Sequence, residues 1–531
     1  MSRVVDRIAA RLALLHAQRV YGRFVRALKD VERVQGRVLR HVLELVGPGE
    51  YARGLGLARV GALRDLQRAA PVVTFEQLAP YIERLANGDT GAMFHPRQAI
   101  VMFATSSGTT ATPKRIPVTP QFVRDYRRGW NTFGLRLLSD HPRAILRPIL
   151  QSSGRFDVSR TPGGTPCGAI TGLLARTQKR IVRRYYIGRP EIAELESATA
   201  RYYTSMRLGI VRDVAFAITA SPATLIQMAR TADEHSEALI RDVHDGTISG
   251  EVVDDAAARR ALAVGLRPNP GRARELEAIR ANAGGRLRPR DYWRLEFLAC
   301  WTGGSMGYYL ERLAAWWGQA PVRDVGLLAS EGRVSIPLQD NTPVGVLDVT
   351  SAVFEFIPAE QSEVAAPQTI APRELEAGRD YIVVLTNATG LVRYRLDDVV
   401  RVRGFLHQAP LIEFLHRAGR VASIAGEKLT EHQVVAAVAD ARKCLRIPEF
   451  DFVLAPRWDD PPYYRLICNG PCSAELCGIL DRELSEQNEE YASRRKSGRL
   501  GPLRIQVVPA AAIAAMDQHL ATMRRANHEQ Y

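Results

Sequence analysis

Between residues 344 and 405 the chain has room for little but strands, and that stretch excludes an all-helical fold. Val383-Val384-Leu385 is a run of the fully buried kind, residues 387–390 hold a turn, and Leu391 to Val402 alternates at the period of a strand. Residues 359–378, rich in Ala, Pro, Gln and Glu, make an excursion between strands. The flanking regions are helical in pattern. Val31, Val34, Val38, Val42 and Leu45 recur at three and four residues, and Gly47-Pro48-Gly49 ends that helix. Ser221-Pro222 supplies a cap and a proline at the first helical position, with Leu225, Met228 and Ala229 as the buried face. Leu276 and Ile279 mark a further helix closed by Gly284-Gly285. Beyond residue 420 a helix (431–442) precedes strands at 450–456, 463–468 and 503–508, with a terminal helix around Ile513, Met516, Leu520 and Met523.

A chain of 531 residues exceeds one typical domain, so two or three units are expected. The 46% apolar and 24% charged content fits a soluble protein with a large core. No apolar run approaches the roughly 18 residues that cross a bilayer. The Arg-rich N-terminus lacks the Ser enrichment of a transit peptide and is expected to be a structural helix, in a cytoplasmic protein. Six cysteines (167, 300, 444, 468, 472, 477) match no zinc spacing, which favours buried or idle thiols in a reducing compartment. The net charge of +15 raises nucleic-acid or membrane-surface binding, but the cations are dispersed. The densest run, Lys179 to Tyr186, carries four and alternates like a solvated face. Neither nucleic acid nor membrane is therefore an expected partner, and the expected state is a monomer. Only six of the 72 cations are lysines, so a lysine in a glycine-bearing loop stands out.

Such a loop occupies 105–117. Thr105, Ser106, Ser107, Thr109 and Thr110 place five hydroxyls around Gly108, followed by Pro113 and Lys114. Glycine lets the backbone approach a ligand, hydroxyls and successive N–H groups can surround phosphate oxygens, and the lysine adds a point charge. The spacing is not that of the Gly-x4-Gly-Lys-Ser/Thr loop. An ordinary Ser/Thr/Gly surface turn explains the composition equally.

Four further segments bear on chemistry. Glu331, in Leu328-Ala329-Ser330-Glu331-Gly332, is either a loop carboxylate or, beside a phosphate loop, a ligand for Mg²⁺. Trp301-Thr302-Gly303-Gly304-Ser305-Met306 is a turn able to bring backbone close to a flat ligand, or a plain connection. Asp398, at the end of Leu391 to Val399, could accept two hydrogen bonds from a ribose diol, or pair with Arg393 or Arg395. The segment Arg417 to Leu429, which includes Arg420 and Lys428, begins where the composition breaks at 404–420, and an arginine there could meet phosphate.

Taken in order, these segments resemble the adenylate-forming ligase superfamily, and more closely its acyl acid amido synthetases, the auxin-responsive Gretchen Hagen family. The likeness covers nearly the whole chain. Pro71-Val72-Val73-Thr74-Phe75, Pro80-Tyr81-Ile82 and Ala86-Asn87-Gly88-Asp89-Thr90 are similar to the family's segment before the phosphate loop. Thr105 to Thr109 with Lys114-Arg115-Ile116-Pro117 resembles its first nucleotide motif. Phe354 to Pro358 and Gly390 to Arg395 are similar to its barrel segments.

The resemblance implies an α/β fold: a large N-terminal adenylate-forming domain (1–405; a β-barrel plus α/β subdomains), a hinge (406–420) and a small mobile α+β C-terminal domain (421–531). It implies ATP-dependent activation of a carboxylic acid and transfer of the acyl group to an amine such as an amino acid. Transfer to a thiol such as coenzyme A, or a degenerate nucleotide-binding regulatory protein, are the alternatives. Ser106, Ser107, Gly108, Thr109 and Thr110 would hold the phosphates beside a catalytic Lys114, Gly303, Gly304 and Ser330 would border the nucleotide, Glu331 would hold Mg²⁺, Asp398 would hold the ribose, and Arg417 or Arg420 would be the hinge arginine. The acyl pocket would draw on the helix after Pro120, including Arg124, Tyr126 and Trp130.

Three positions depart from the family pattern. Leu327 and Leu328 stand where an aromatic packs on adenine, which leaves Trp301, Tyr308 and Tyr309 as substitutes. Asp397 stands at a glycine position. The family's Asn-x-x-Gln-Tyr-Lys ending is met here as far as Gln530-Tyr531, so truncation, replacement of that lysine by another group such as Lys428, or an impaired reaction all stay open.

Overall fold

Phe216–Ile218 and Phe297–Ala299 are short parallel strands, apolar throughout, the pattern of strands covered on both faces. The computed structural model describes residues 3–106, 114–178, 180–418, 421–422, 424–425, 427, 429–470 and 473–516. It divides into two units, residues 1–106, 115–396 and 401–414 in the first and 107–114, 397–400 and 415–531 in the second.

In the first unit Ile149–Gln151, Phe216–Ile218, Phe297–Ala299 and Val322–Arg323 make a four-stranded sheet in that order, every pairing parallel. Helices fill the crossovers. Pro222–Glu234, capped by the Ser221 hydroxyl, and Pro270–Asn282 lie between the second and third strands, and Leu310–Trp317 lies between the third and fourth. Tyr203, Met206, Leu225, Met228, Leu239 and Trp317 form the core over this sheet.

The strand-dense stretch builds a six-stranded sheet. Its order is Ser335–Pro337, Gly345–Leu347, Ala409–Arg417, Tyr394–Leu406, Asp380–Thr386 and Val353–Pro358. Val353–Pro358 runs antiparallel to Asp380–Thr386 from Val353↔Thr386 to Pro358↔Tyr381, and the excursion 359–378 leaves between them. Residues 409–417, expected in a hinge, are thus a strand, with Val346 opposite Leu411 and Gly345 opposite Ile412. The alternation of Leu411-Ile412 and Phe414-Leu415 outweighs Pro410, which sits near the strand's start where a missing N–H is tolerated. A smaller sheet orders Lys114–Val118, Met102–Ser106, Pro166–Gly168 and Ser159–Arg160.

In the second unit Phe452–Arg457, Tyr463–Cys468 and Arg504–Val507 form a three-stranded mixed sheet. Glu431–Leu445 starts on a reciprocal cap between Thr430 and Gln433, and Ala474–Gln487 follows the second strand. Residues 510–516 are helical. Cys167, Cys300 and Cys468 are buried. Among the described residues no helix is long and apolar enough to cross a membrane.

Candidate active site

The strand Met102–Ser106 has Met102, Phe103 and Ala104 fully buried and pairs in parallel with Pro166–Gly168, so its carboxyl end carries Thr105 and Ser106 to the edge of the sheet. Ligands of open α/β sheets gather at that end of the strands. Lys114 opens the neighbouring strand, Lys114–Val118. Ser107, Gly108, Thr109 and Thr110 lie outside the described residues, as do Arg420 and Lys428.

Ser330 and Glu331 are the two-residue turn of a tight hairpin, with Ala329 opposite Gly332 and Leu328 opposite Arg333. The Ser330 hydroxyl points at the Thr105 carbonyl across 3.5 Å, which brings this turn to the end of the loop-bearing strand. The Asn387 side chain donates to the Glu331 carbonyl at 2.6 Å, and its own oxygen accepts from the Thr389 backbone and hydroxyl. Glu331 is 3% exposed. A buried carboxylate next to the Ser330 hydroxyl offers hard oxygen donors of the kind Mg²⁺ takes alongside phosphate, so these residues fit that ion.

The Trp301–Gly304 turn is fastened by a residue that sequence inspection missed. Thr302 and Asp324 follow neighbouring parallel strands, Phe297–Ala299 and Val322–Arg323, at their carboxyl ends. One Asp324 oxygen accepts from the Thr302 N–H (2.6 Å) and hydroxyl (2.7 Å), and the other from the Gly326 N–H (2.5 Å). Burial pushes the Asp324 pKa up, while these bonds pull it back. One carboxylate therefore ties the glycine turn to the segment leading into the Ser330-Glu331 hairpin. A side chain at 303 would press on the Trp301 ring nitrogen, and Gly304 has a positive φ of 58°. Trp301 packs against Phe414 with ring centres 5.1 Å apart, while Leu327, at the family's aromatic region, is buried. Beside the turn opens a cleft of about 610 Å³, lined in part by Thr302, Gly304, Leu310, Leu313, Val322 and Glu413.

The helix expected to line an acyl pocket, Pro120–Asp140, is closed on its inner face. Tyr126 is buried, and Trp130 lies under the Arg333 guanidinium, 4.5 Å from ring centre to carbon. Burial lowers the Arg333 pKa to about 10. The space left among Phe122, Tyr126, Arg333 and Asn387 is about 10 Å³, room for one water. Arg124 is exposed and bonds to Gln121 on its own helix. The larger volume is at the glycine turn instead.

In the second unit Asp397 and Asp398 lie on the strand Tyr394–Leu406, and Arg417 ends the adjacent strand Ala409–Arg417. The Ala418 N–H donates to the Asp397 carbonyl at 2.6 Å. Asp398 is buried at 8% exposure. Asp397 has φ of 65°, the left-handed region, which accounts for a position that favours glycine. Aspartate is among the few other residues that enter it. Asp397→Gly is expected to match the native stability within about 0.5 kcal/mol and Asp397→Ala to lose about 1 kcal/mol, an ordering that denaturant unfolding checks. Arg393 pairs with Glu355, and Arg395 donates to the Ser362 carbonyl.

Ahead of Lys428 lies another carboxylate that the sequence did not reveal. Glu427 is fully buried and accepts from the N–H groups of Ile424 (2.9 Å) and Ala425 (2.8 Å), and from the Tyr464 hydroxyl. It clamps the backbone just before that lysine.

Comparison with known proteins places this architecture. The chain matches the GH3 family N-terminal domain over residues 20–322, its central domain over 345–417 and its C-terminal domain over 432–531. The chain belongs to the GH3 family. It is 27% identical over 522 residues to the jasmonoyl–L-amino acid synthetase JAR6 of Nicotiana attenuata, covering 92% of this chain and 88% of that protein. It is 28% identical over 456 residues to the probable indole-3-acetic acid-amido synthetase GH3.4 of Oryza sativa subsp. japonica, covering 78% and 70%. The solved structure of the GH3.15 acyl acid amido synthetase superposes with a TM-score of 0.81 at 22% identity, over 93% of this chain and 89% of that one. The mixed α/β fold expected from the resemblance is the fold of that neighbour.

Proposed function

We propose that this chain is an acyl acid amido synthetase, which adenylates a carboxylic acid with ATP and passes the acyl group to an amino acid. The observation that carries the proposal is the match over 92% of the chain to an amido synthetase, with the Ser330-Glu331 turn set against the end of the hydroxyl-loop strand. The acid's oxygen attacks the α-phosphorus, the bond to pyrophosphate breaks, and an acyl-adenylate results. The amine then attacks the acyl carbon and AMP leaves with the bonding pair.

Ser106 to Thr110 and Lys114 hold the phosphates, and Asp398 holds the ribose hydroxyls. Glu331 would hold Mg²⁺, whose charge would offset the repulsion between the phosphates and the incoming carboxylate. Arg417 or Arg420 meets phosphate, and Lys428 reaches the reacting carboxylate. Preorganised donors and positioning of the reactants supply the acceleration. The cleft beside Gly304 has the size of a small-molecule site and a largely apolar lining.

Pyrophosphate exchange into ATP across a panel of carboxylic acids, followed by product analysis with amino acids against coenzyme A, tests the proposal. Acid-dependent exchange and amide products are expected, and a lack of exchange with every acid overturns it. Asp324→Ala provides a second check. It leaves the Thr302 N–H and hydroxyl and the Gly326 N–H without their acceptor, at about 2–4 kcal/mol of stability. It is expected to raise KM for ATP about tenfold in exchange assays, with partial recovery in Asp324→Asn. An unchanged KM would detach the glycine turn from the nucleotide.

A further inference from the structure

The N-terminal helix Arg3–Leu28 presents a surface that the fold and the proposed reaction leave unused. Its buried stripe is Ala17, Phe24 and Leu28. A helix turns about 100° per residue, which places Arg11, Leu15, Arg26, Arg19, Leu12 and Arg23 on one arc opposite that stripe. All six are exposed, Leu12 at 62% and Leu15 at 50%. A helix packed against its own protein turns polar residues outward, yet two leucines lie within this outward arc. The charge on it has one sign. From Arg7 to Lys29 the sequence holds six cations and no Asp or Glu. Among the described residues Arg11, Arg19, Arg23 and Arg26 have no acidic partner, unlike Arg33 with Asp30, Arg84 with Glu50 and Asp89, or Arg373 with Glu32.

We infer that this face docks the protein on an anionic phospholipid surface, contrary to the expectation of no membrane partner. The arginines meet lipid phosphates while Leu12 and Leu15 enter the boundary between headgroups and acyl chains. A nucleic acid would satisfy the arginines but would leave the leucines with nothing to bury, whereas a bilayer surface takes both. The charge runs along the outer side of a helix of 26 residues, a shape suited to lying in an interface plane rather than crossing it.

Co-sedimentation of the full chain with vesicles of phosphatidylcholine alone, or mixed with phosphatidylglycerol, is the test. Binding is expected only to the mixed vesicles, and it should weaken as salt screens the charges. Each cation near an anionic leaflet contributes about fivefold in partitioning, so Arg19→Glu, Arg23→Glu and Arg26→Glu together should cost roughly a hundredfold or more. Leu12→Ser with Leu15→Ser should cost roughly tenfold on vesicles and leave any binding to a single-stranded oligonucleotide unchanged. These side chains are exposed, so melting curves should overlay that of the native chain. Absence of binding to mixed vesicles overturns the inference. So does a leucine variant that binds them as the native chain does, because the face would then be a general polyanion surface.

Discussion

Glu331→Gln is expected to lower ATP–pyrophosphate exchange by about 10²–10³-fold, the scale on which a single preorganised electrostatic group contributes to a transition state. The carboxylate sits in a two-residue turn whose carbonyl is held by Asn387 at 2.6 Å, so it is presented from a fixed base. Glutamine keeps the shape and removes only the charge. Because the side chain is 3% exposed, losing that charge also removes a desolvation cost, and the melting temperature should hold or rise. The defect should therefore be chemical, with KM for the acid unchanged and a higher Mg²⁺ requirement. Exchange measured against Mg²⁺ concentration checks this. Native exchange would remove Glu331 from the proposed site, and a parallel fall in stability would reassign it to the fold.

What the sequence made legible was local. The helix Val31–Val46, the cap at Ser221, the reciprocal cap at Thr430 and the strands of residues 380–402 and 463–468 follow from periodicity and turn chemistry within a few residues. The ordered family segments were legible too, and the fold brings some of them together: Val73 bridges Tyr394, and Gly390 packs on Phe94. The polar anchors were not legible. Gln35 reads as a surface residue, yet it bonds Val349, Ala352 and Phe354 more than three hundred positions away and draws the buried face of its helix toward Leu39 and Val46. Asp324, Arg333 and Glu427 are likewise ordinary charged residues until the fold removes water and supplies their partners. Asp397 could be noticed only as a missing glycine, and its backbone angle supplies the reason.

Glu355→Ala is expected to cost about 3–5 kcal/mol, the largest stability effect predicted for this chain, because it strands a buried cation. The Arg393 guanidinium donates to both Glu355 oxygens (3.0 and 2.9 Å), to the Thr369 hydroxyl (2.7 Å) and to the carbonyls of Gln67 (3.1 Å) and Ala70 (2.5 Å). The two side chains are 6% and 1% exposed. Arg393 also has φ of 49°, a strained value for a long side chain, so packing on all sides must hold it there. Its neighbours tie the Gln67–Ala70 segment to the strand Val353–Pro358, which is an architectural task. Replacing both partners by apolar residues, Glu355→Leu with Arg393→Met, should accordingly recover most of what Glu355→Ala loses, since no charge is then left unpaired. Denaturant unfolding of the single and double variants measures the coupling, and acid-dependent exchange by the folded double variant separates the two roles of the motif. A double variant that is stable and active makes Gly390 to Arg395 a structural signature of the fold. One that is stable but inactive makes Arg393 part of the chemistry and removes the architectural account.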